Sequence, residues 1–468
     1  METILGPVSG YLNDLGPSVV LPVLITVFGV ILGLSVGKSF RAGATIGIGF
    51  IGINLVIGLL GAQVAPAAAG MAEGVGVTLD VVDVGWPSSA AIAFGSSIGA
   101  MIIPLGLLVN VLLLMTGLTR TFDIDLWNYW HSALIGALVA AVTGNYLLGL
   151  LSSAVHLALI LAMADLTAPI VQRYFQLPEI SFPHGTSAPY GLLAIPLNRL
   201  FDAIPGLRRL DATPEAIQKR FGLFGETLMM GLVLGLLIGL LGYGVDSPRE
   251  DSIAILTLAI SLAAAMFLLP RMVAILMEGL MPISEAARAF VQKRFPGRTF
   301  YIGLDSAIAV GQPSVIATSL LLVPVTLLIA VVLAPAGNRV LPLVDLATIP
   351  FIVAVMVPIF RGNIVRSVIG GGVLIGAGLF VATWIAPLFT QVAVDSGFAL
   401  EEGQATISSL VDGANPLTGL FVGAAQLGLP GVLVLAILCM AGVAAVRVVM
   451  RRRDRRAAVD AEPTEAAS

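Results

Sequence analysis

Apolar stretches of about twenty residues recur along the whole chain, and this constrains the fold more than any other feature. A bilayer core about 30 Å thick is crossed by a helix of ~20 apolar residues or by a barrel strand of roughly nine to eleven alternating ones. The runs here have the helical length and no alternation. Of 468 residues, 57% are hydrophobic and 11% charged, under half the charge of an average soluble domain, which is about 25%. The expectation is an all-α integral membrane protein. Apolar runs between helix breakers give about eleven transmembrane helices, starting near Val19, Ile46, Ile102, Ser132, Leu148, Gly222, Ile253, Ser314, Leu346, Ile364 and Ala424.

Charge placement sets the expected orientation. With the N-terminus outside, all but two of the 24 Lys and Arg residues fall on the inner side, the exceptions being Arg249 and Arg339. That asymmetry predicts the N-terminus out and the C-terminus in. The formal charge of −4 hides this segregation and says little about partners. The N-terminus shows neither a basic region nor a small-residue cleavage site, so no removable signal peptide is expected. A single cysteine, Cys439, lies within the last apolar run, which excludes a disulfide framework and Cys-based metal sites. No metal and no cofactor is expected.

The chain also carries an internal repeat. The segment 82–110 resembles 300–330, aligning Gly85 with Gly303, Ser88 with Ser306 and Pro104 with Pro324. Further matches keep the same order: Asp125 and Leu126 with Asp345 and Leu346, Gly144 and Asn145 with Gly362 and Asn363, then His184, Gly185 and Pro189 with Asp412, Gly413 and Pro416. Each unit holds five spans, and an odd number inserts the second unit upside down. Two inverted five-helix repeats with re-entrant hairpins plus a final helix follow, divided as 1–197, a cytoplasmic linker 198–221, 222–423, a last transmembrane helix 424–449 and a basic, then disordered, tail 450–468. In such folds the substrate site lies at mid-membrane where interrupted helices meet. The interrupted segments here surround Gly85, His184, Gly303 and Asp412.

Five motifs, VVDVGWP, PHGTSA, IQKRFGLFGE, FYIGLD and GNRVLPLVDLATI, carry a family resemblance. From about Leu15 to the last span the chain resembles the galactitol-type permease IIC components of the bacterial phosphoenolpyruvate-dependent sugar phosphotransferase system, in the ascorbate-galactitol superfamily. The resemblance implies a homodimer in the bacterial inner membrane that carries an alditol inward. A phosphocysteine on a separate IIB protein, charged through IIA, would phosphorylate it. The chain departs at Gln312, where some galactitol-type members carry His, so the alditol itself stays open. So does a second class, an ion-coupled secondary transporter of a polyol or sugar, which would use the same repeats with buried Asp or His as ion sites.

An ionisable group kept in a bilayer is a functional hypothesis by default. His184 and Asp305 sit at expected hairpin tips within the family motifs. They are candidates for binding the substrate, and for orienting its terminal hydroxyl or taking its proton; the competing role is capping free hairpin backbone. Asp412 matches His184 by repeat symmetry alone and could be solvated by an outer loop. His131 contacts ligand or anchors at the interface beside Trp127 and Trp130. Trp86 stacks on a carbon chain or belongs to an aromatic belt. Thr186 and Ser306 are candidate hydroxyl contacts. His156 reads as a packed or helix-bonded histidine. No residue on the chain reads as a phosphate carrier: Cys439 lies in an apolar span, and the histidines lack an adjoining soluble domain.

Overall fold

The computed structural model describes residues 17–75, 79–210, 212–216, 227–244, 246–294, 300–398 and 406–461. Helices α1 (Pro17–Ile31) and α2 (Val36–Val75) lead to strand β1 (Val81–Asp83), then α3 (Gly85–Gly95) and α4 (Gly99–Thr116). Strand β2 (Thr121–Asp123), a 3-10 turn at Trp127–Tyr129, α5 (Trp130–Thr143) and α6 (Tyr146–Phe175) follow. Next come β3 (Ile180–Ser181), α7 (Ala188–Ala203) and the short α8 (Pro205–Arg209).

The second half runs α9 (Thr227–Tyr243), α10 (Pro248–Arg294), β4 (Tyr301–Gly303), α11 (Ala307–Val310) and α12 (Pro313–Val332). It continues through β5 (Val340–Leu341), a 3-10 turn at Asp345–Thr348, α13 (Ile349–Val353), α14 (Met356–Ile359) and α15 (Ile364–Asp395). It closes with β6 (Ile407–Ser408), α16 (Pro416–Gln426) and α17 (Gly428–Ala461).

Six stretches among the described residues are long and apolar enough to cross a bilayer: Gly99–Thr116, Tyr146–Phe175, Pro248–Leu268, Pro313–Val332, Ile364–Asp395 and Gly428–Asp454. Two elements overrun a membrane. At a rise of about 1.5 Å per residue, the 40 residues of α2 and the 47 of α10 exceed a 30 Å core twofold. They pack along each other and against α9 and α1. Where α2 meets α9, a side chain at Gly70 or Gly242 would collide with the opposing backbone, the close approach that small residues permit between membrane helices.

The Gly-Asn pairs matched by the repeat do the same job twice. Gly144 (φ 62°) ends α5 in the left-handed region, and Asn145 then caps α6 by accepting the Leu147 and Leu148 amides. Gly362 (φ 74°) precedes Asn363, which caps α15 by accepting the Arg366 amide. Each pair turns the chain sharply between helices without stranding end groups.

Among the described residues, six strands of two or three residues qualify the helical expectation. A period-2 pattern is legible only over about four to eight residues, so these strands leave no trace in the sequence. They form two parallel three-stranded sheets. In one, β1 lies between β5 and β6, pairing Val81 with Val340 and Val82 with Ile407; in the other, β4 lies between β2 and β3, pairing Thr121 with Tyr301 and Ile180 with Ile302. Each sheet therefore takes its central strand from one half of the chain and both outer strands from the other. Pairing satisfies backbone that is no longer helical, a necessity within a bilayer.

Beside the first sheet, Arg339 forks onto Asp80 and its hydrogen bonds hold that carboxyl below the usual range. Both side chains are exposed, so the pair contributes little to stability.

The end of the chain departs from expectation. The last span begins at Gly428 rather than near Ala424, because Gly428 (φ 68°) separates it from α16. The helix then continues through the basic run to Ala461, carried past the apolar stretch by Arg120 pairing with Asp454 and by Arg453 Nη1 donating to the Leu166 carbonyl. Of the expected linker, 198–203 belong to α7 and 205–209 to α8, while 217–221 lie outside the described residues.

Candidate functional site

Both sheets end where helices restart, and these four restarts converge. After β1, Gly85 adopts φ 75°, and the new helix N-terminus exposes amides that carboxylates satisfy. Asp83 accepts the Gly85 amide (3.2 Å) through one oxygen and the Asp345 amide (2.8 Å) through the other. Asp345 accepts the Trp86 amide (2.8 Å) through Oδ1, and the Ser409 hydroxyl (2.8 Å) and Val411 amide (3.2 Å) through Oδ2. One side chain thus ties three interrupted segments together and holds Trp86 and Val411 in place.

The other pair of restarts is joined through Ser187. Its Oγ lies within hydrogen-bond distance of the Phe351 carbonyl (2.6 Å), Ser306 Oγ (2.7 Å) and His184 Nδ1 (3.3 Å). Asp305 accepts the Ala307 amide through Oδ1 (2.8 Å) and Asn128 Nδ2 through Oδ2 (3.0 Å). Asn128 Nδ2 also donates to Asp125 Oδ2 (2.6 Å). His184 Nε2 stands 3.5 Å from Asp305 Oδ1, too long for a strong direct hydrogen bond. Both atoms retain capacity for a ligand hydroxyl.

His131 bridges the two groups. Its Nδ1 contacts both Asp412 oxygens (2.9 and 3.1 Å), its Nε2 lies 3.3 Å from Thr186 Oγ1, and its ring stacks on Trp130 at 3.8 Å. The His184 ring meets it edge-on at 5.3 Å. Gly185 makes this approach possible, since a Cβ there would lie 2.5 Å from His131 Cγ. Asn415 fixes the same tip by donating to the Gly185 carbonyl (3.0 Å).

Together these segments surround a cavity of ≈ 50 Å³ lined by Trp86, Trp127, Asn128, Trp130, His131, His184, Thr186, Asp305, Thr348, Phe351 and Val411. Of the residues singled out in the sequence, Trp86, His131, His184, Thr186 and Asp305 line the wall. Asp412 and Ser306 stand one layer back, behind His131 and on Ser187 respectively. Trp127 and Trp130 are buried (7% and 2% exposed) and face the cavity, not a headgroup belt. His156 takes a hydrogen bond with Ser132 Oγ (2.7 Å) and packs on Phe421, away from the wall.

Sequence reasoning missed Asn128, Thr348, Phe351 and Val411. The aligned Asp125 and Asp345 were the available signal, because each lies beside one of the missing wall segments. Among the described residues no group of three or more His, Cys, Asp or Glu could hold a metal ion.

Restarted helices meeting around a polar, aromatic-walled cavity, inside a bundle of membrane-length helices, define a solute permease. Over residues 11–403 the sequence matches the family described as the PTS system sugar-specific permease component. It is 41% identical over 435 residues to the PTS system galactitol-specific EIIC component of Escherichia coli strain K12, covering 92% of this chain and 94% of the relative. The same identity and coverage hold for the protein of that name from Escherichia coli O157:H7. The chain belongs to this family of phosphotransferase-system permeases and is a membrane-embedded IIC component.

Proposed function

We propose that this permease imports galactitol or a closely related alditol, coupled to phosphorylation by a separate phospho-IIB protein. The name of the two relatives supports galactitol. The observation that carries the polyol reading is the mixed wall of the cavity. Three Trp faces and Phe351 offer apolar surface to a carbon chain, while His184, Asp305, Asn128, His131, Thr186 and Thr348 offer donors and acceptors to its hydroxyls. His184 and Asp305 are the candidate groups to orient the terminal hydroxyl or take its proton. Asp412 and Ser306 act through their neighbours, Asp412 by fixing the His131 ring.

The proposed architecture is two inverted five-helix repeats, 1–197 and 222 to about 427, followed by a last helix from Gly428, with the N-terminus outside and the C-terminus inside, working as a homodimer. The exchange of strands between halves supports the repeat: β1 with β5 and β6 mirrors β4 with β2 and β3. The asymmetry of Lys and Arg supports the orientation.

Transport by the purified protein in liposomes tests this reading. With phosphorylated IIB present, galactitol should appear inside as its phosphate, and labelled phosphate should pass from IIB to product without appearing on this chain. Cys439, buried at 7% exposure within α17, lacks access to a phosphoryl donor. Cys439→Ser should therefore leave coupled uptake unchanged. Accumulation of unmodified alditol driven by an ion gradient without IIB would overturn the proposal, as would a phosphorylated form of this chain.

A further inference from the structure

A second cavity lies apart from the first, between the end of α4, the turn into β2, α6 and the basic stretch of α17. It has a volume of ≈ 240 Å³ and is lined in part by Thr119, Arg120, Asp165, Arg447, Arg451 and Asp454. Arg447, Arg451 and Asp454 recur at helical i, i+4 and i+7 spacing, so one face of α17 presents all three.

The charges there are unevenly satisfied. Asp165 is fully buried, and its carboxylate accepts from Thr119 Oγ1 (2.8 Å), the Arg120 amide (3.0 Å) and Thr121 Oγ1 (2.8 Å), so it needs no guanidinium. Arg120 is engaged by Asp454. Arg447 and Arg451 have neither an ion pair nor a hydrogen bond among the described residues, and Arg447 Nε is buried without a partner. A buried guanidinium donor left unmet is costly. An anion in the cavity would offer acceptors to the two arginines that line it.

We propose that this cavity binds a phosphate oxyanion, held by Arg447 and Arg451. A guanidinium fork matches tetrahedral phosphate oxygens in a bidentate fashion. The site sits where the apolar stretch of α17 gives way to its charged end, the depth of a lipid phosphodiester, and it is open to a soluble phosphate as well. It shares no lining residue with the hairpin cavity, and the proposal stands whether or not the alditol reading does.

Thermal unfolding of the full chain in detergent tests it, with short-chain phosphatidylglycerol, phosphatidylcholine or inorganic phosphate titrated separately. The expected result is a rise in Tm that saturates with one anionic probe. Loss of a bidentate contact worth 1.4 kcal/mol lowers affinity about tenfold, so Arg447→Gln and Arg451→Gln should each move the midpoint up by about that factor or more. A response to phosphatidylglycerol alone assigns a lipid headgroup; a response to inorganic phosphate assigns a soluble ligand. Arg451 is exposed, so its variant reports even where Arg447→Gln folds poorly. The proposal is overturned by an equal response to phosphatidylcholine, by no response to either anion, or by unchanged midpoints in a folded variant.

Discussion

Replacing His184 or Asp305 by Ala is expected to abolish alditol uptake while the protein still inserts and remains monodisperse in detergent. Both side chains reach the cavity, and their mutual contact at 3.5 Å is too loose to hold the hairpins together. The interrupted segments are held chiefly by Ser187, Asn415 and Asp345, and Asp305 adds only its bonds to the Ala307 amide and Asn128. A hydrogen bond from a sugar hydroxyl to a charged group is worth about 1.5–3 kcal/mol, or roughly ten- to a hundredfold in affinity. Binding calorimetry beside uptake separates loss of binding from loss of transfer. Near-normal uptake by both variants would remove these residues from the site and leave Trp86 and His131 as the next to examine.

A different loss is expected at Asp345. Ala there strands the Trp86 amide, the Ser409 hydroxyl and the Val411 amide, all in the buried centre of the molecule. Each orphaned buried donor costs about 1–3 kcal/mol, so the three together remove at least about 3 kcal/mol. That is a large part of the ~5–15 kcal/mol by which folded proteins are stable. Asp345→Asn keeps an acceptor for Trp86 but sets a second donor against the Val411 amide, and should fall between wild type and Ala. Thermal unfolding in detergent checks the order. An Asp345→Ala protein with unchanged Tm would show that water or a rearranged backbone replaces the carboxylate.

The comparison of these two sites shows how sequence reading succeeds and where it stops. His184, Asp305 and His131 stood out because an ionisable residue in an apolar chain is conspicuous without any knowledge of its neighbours. Trp86 and Thr186 followed from lying next to helix breakers. Asn128, Thr348 and Phe351 carry no such mark, since an uncharged polar residue or a Phe in a short turn or helix is ordinary until its facing segment is known. Asp412 looked equivalent to His184 by repeat alignment, yet its carboxylate bonds His131 Nδ1 and does not line the cavity. A linear alignment records which residues correspond and not which way each points. The strands were illegible because their pairing partners lie far away in sequence and they are too short to show a period.

The exchange of strands between halves bears on how the molecule is made. Asp345 is 259 residues beyond the Trp86 amide that it caps. At a synthesis rate of about 5–20 residues per second, that interval is on the order of 13–50 s. Throughout it the first hairpin has neither its carboxylate nor the strands that flank β1, and its polar backbone has to wait in wet surroundings, outside the hydrocarbon. The first half therefore enters the membrane as helices without a finished centre. The second sheet can close once β4 has been made, and the first only after β5 and β6, so the cavity is completed last, by the residues from β5 to Asn415.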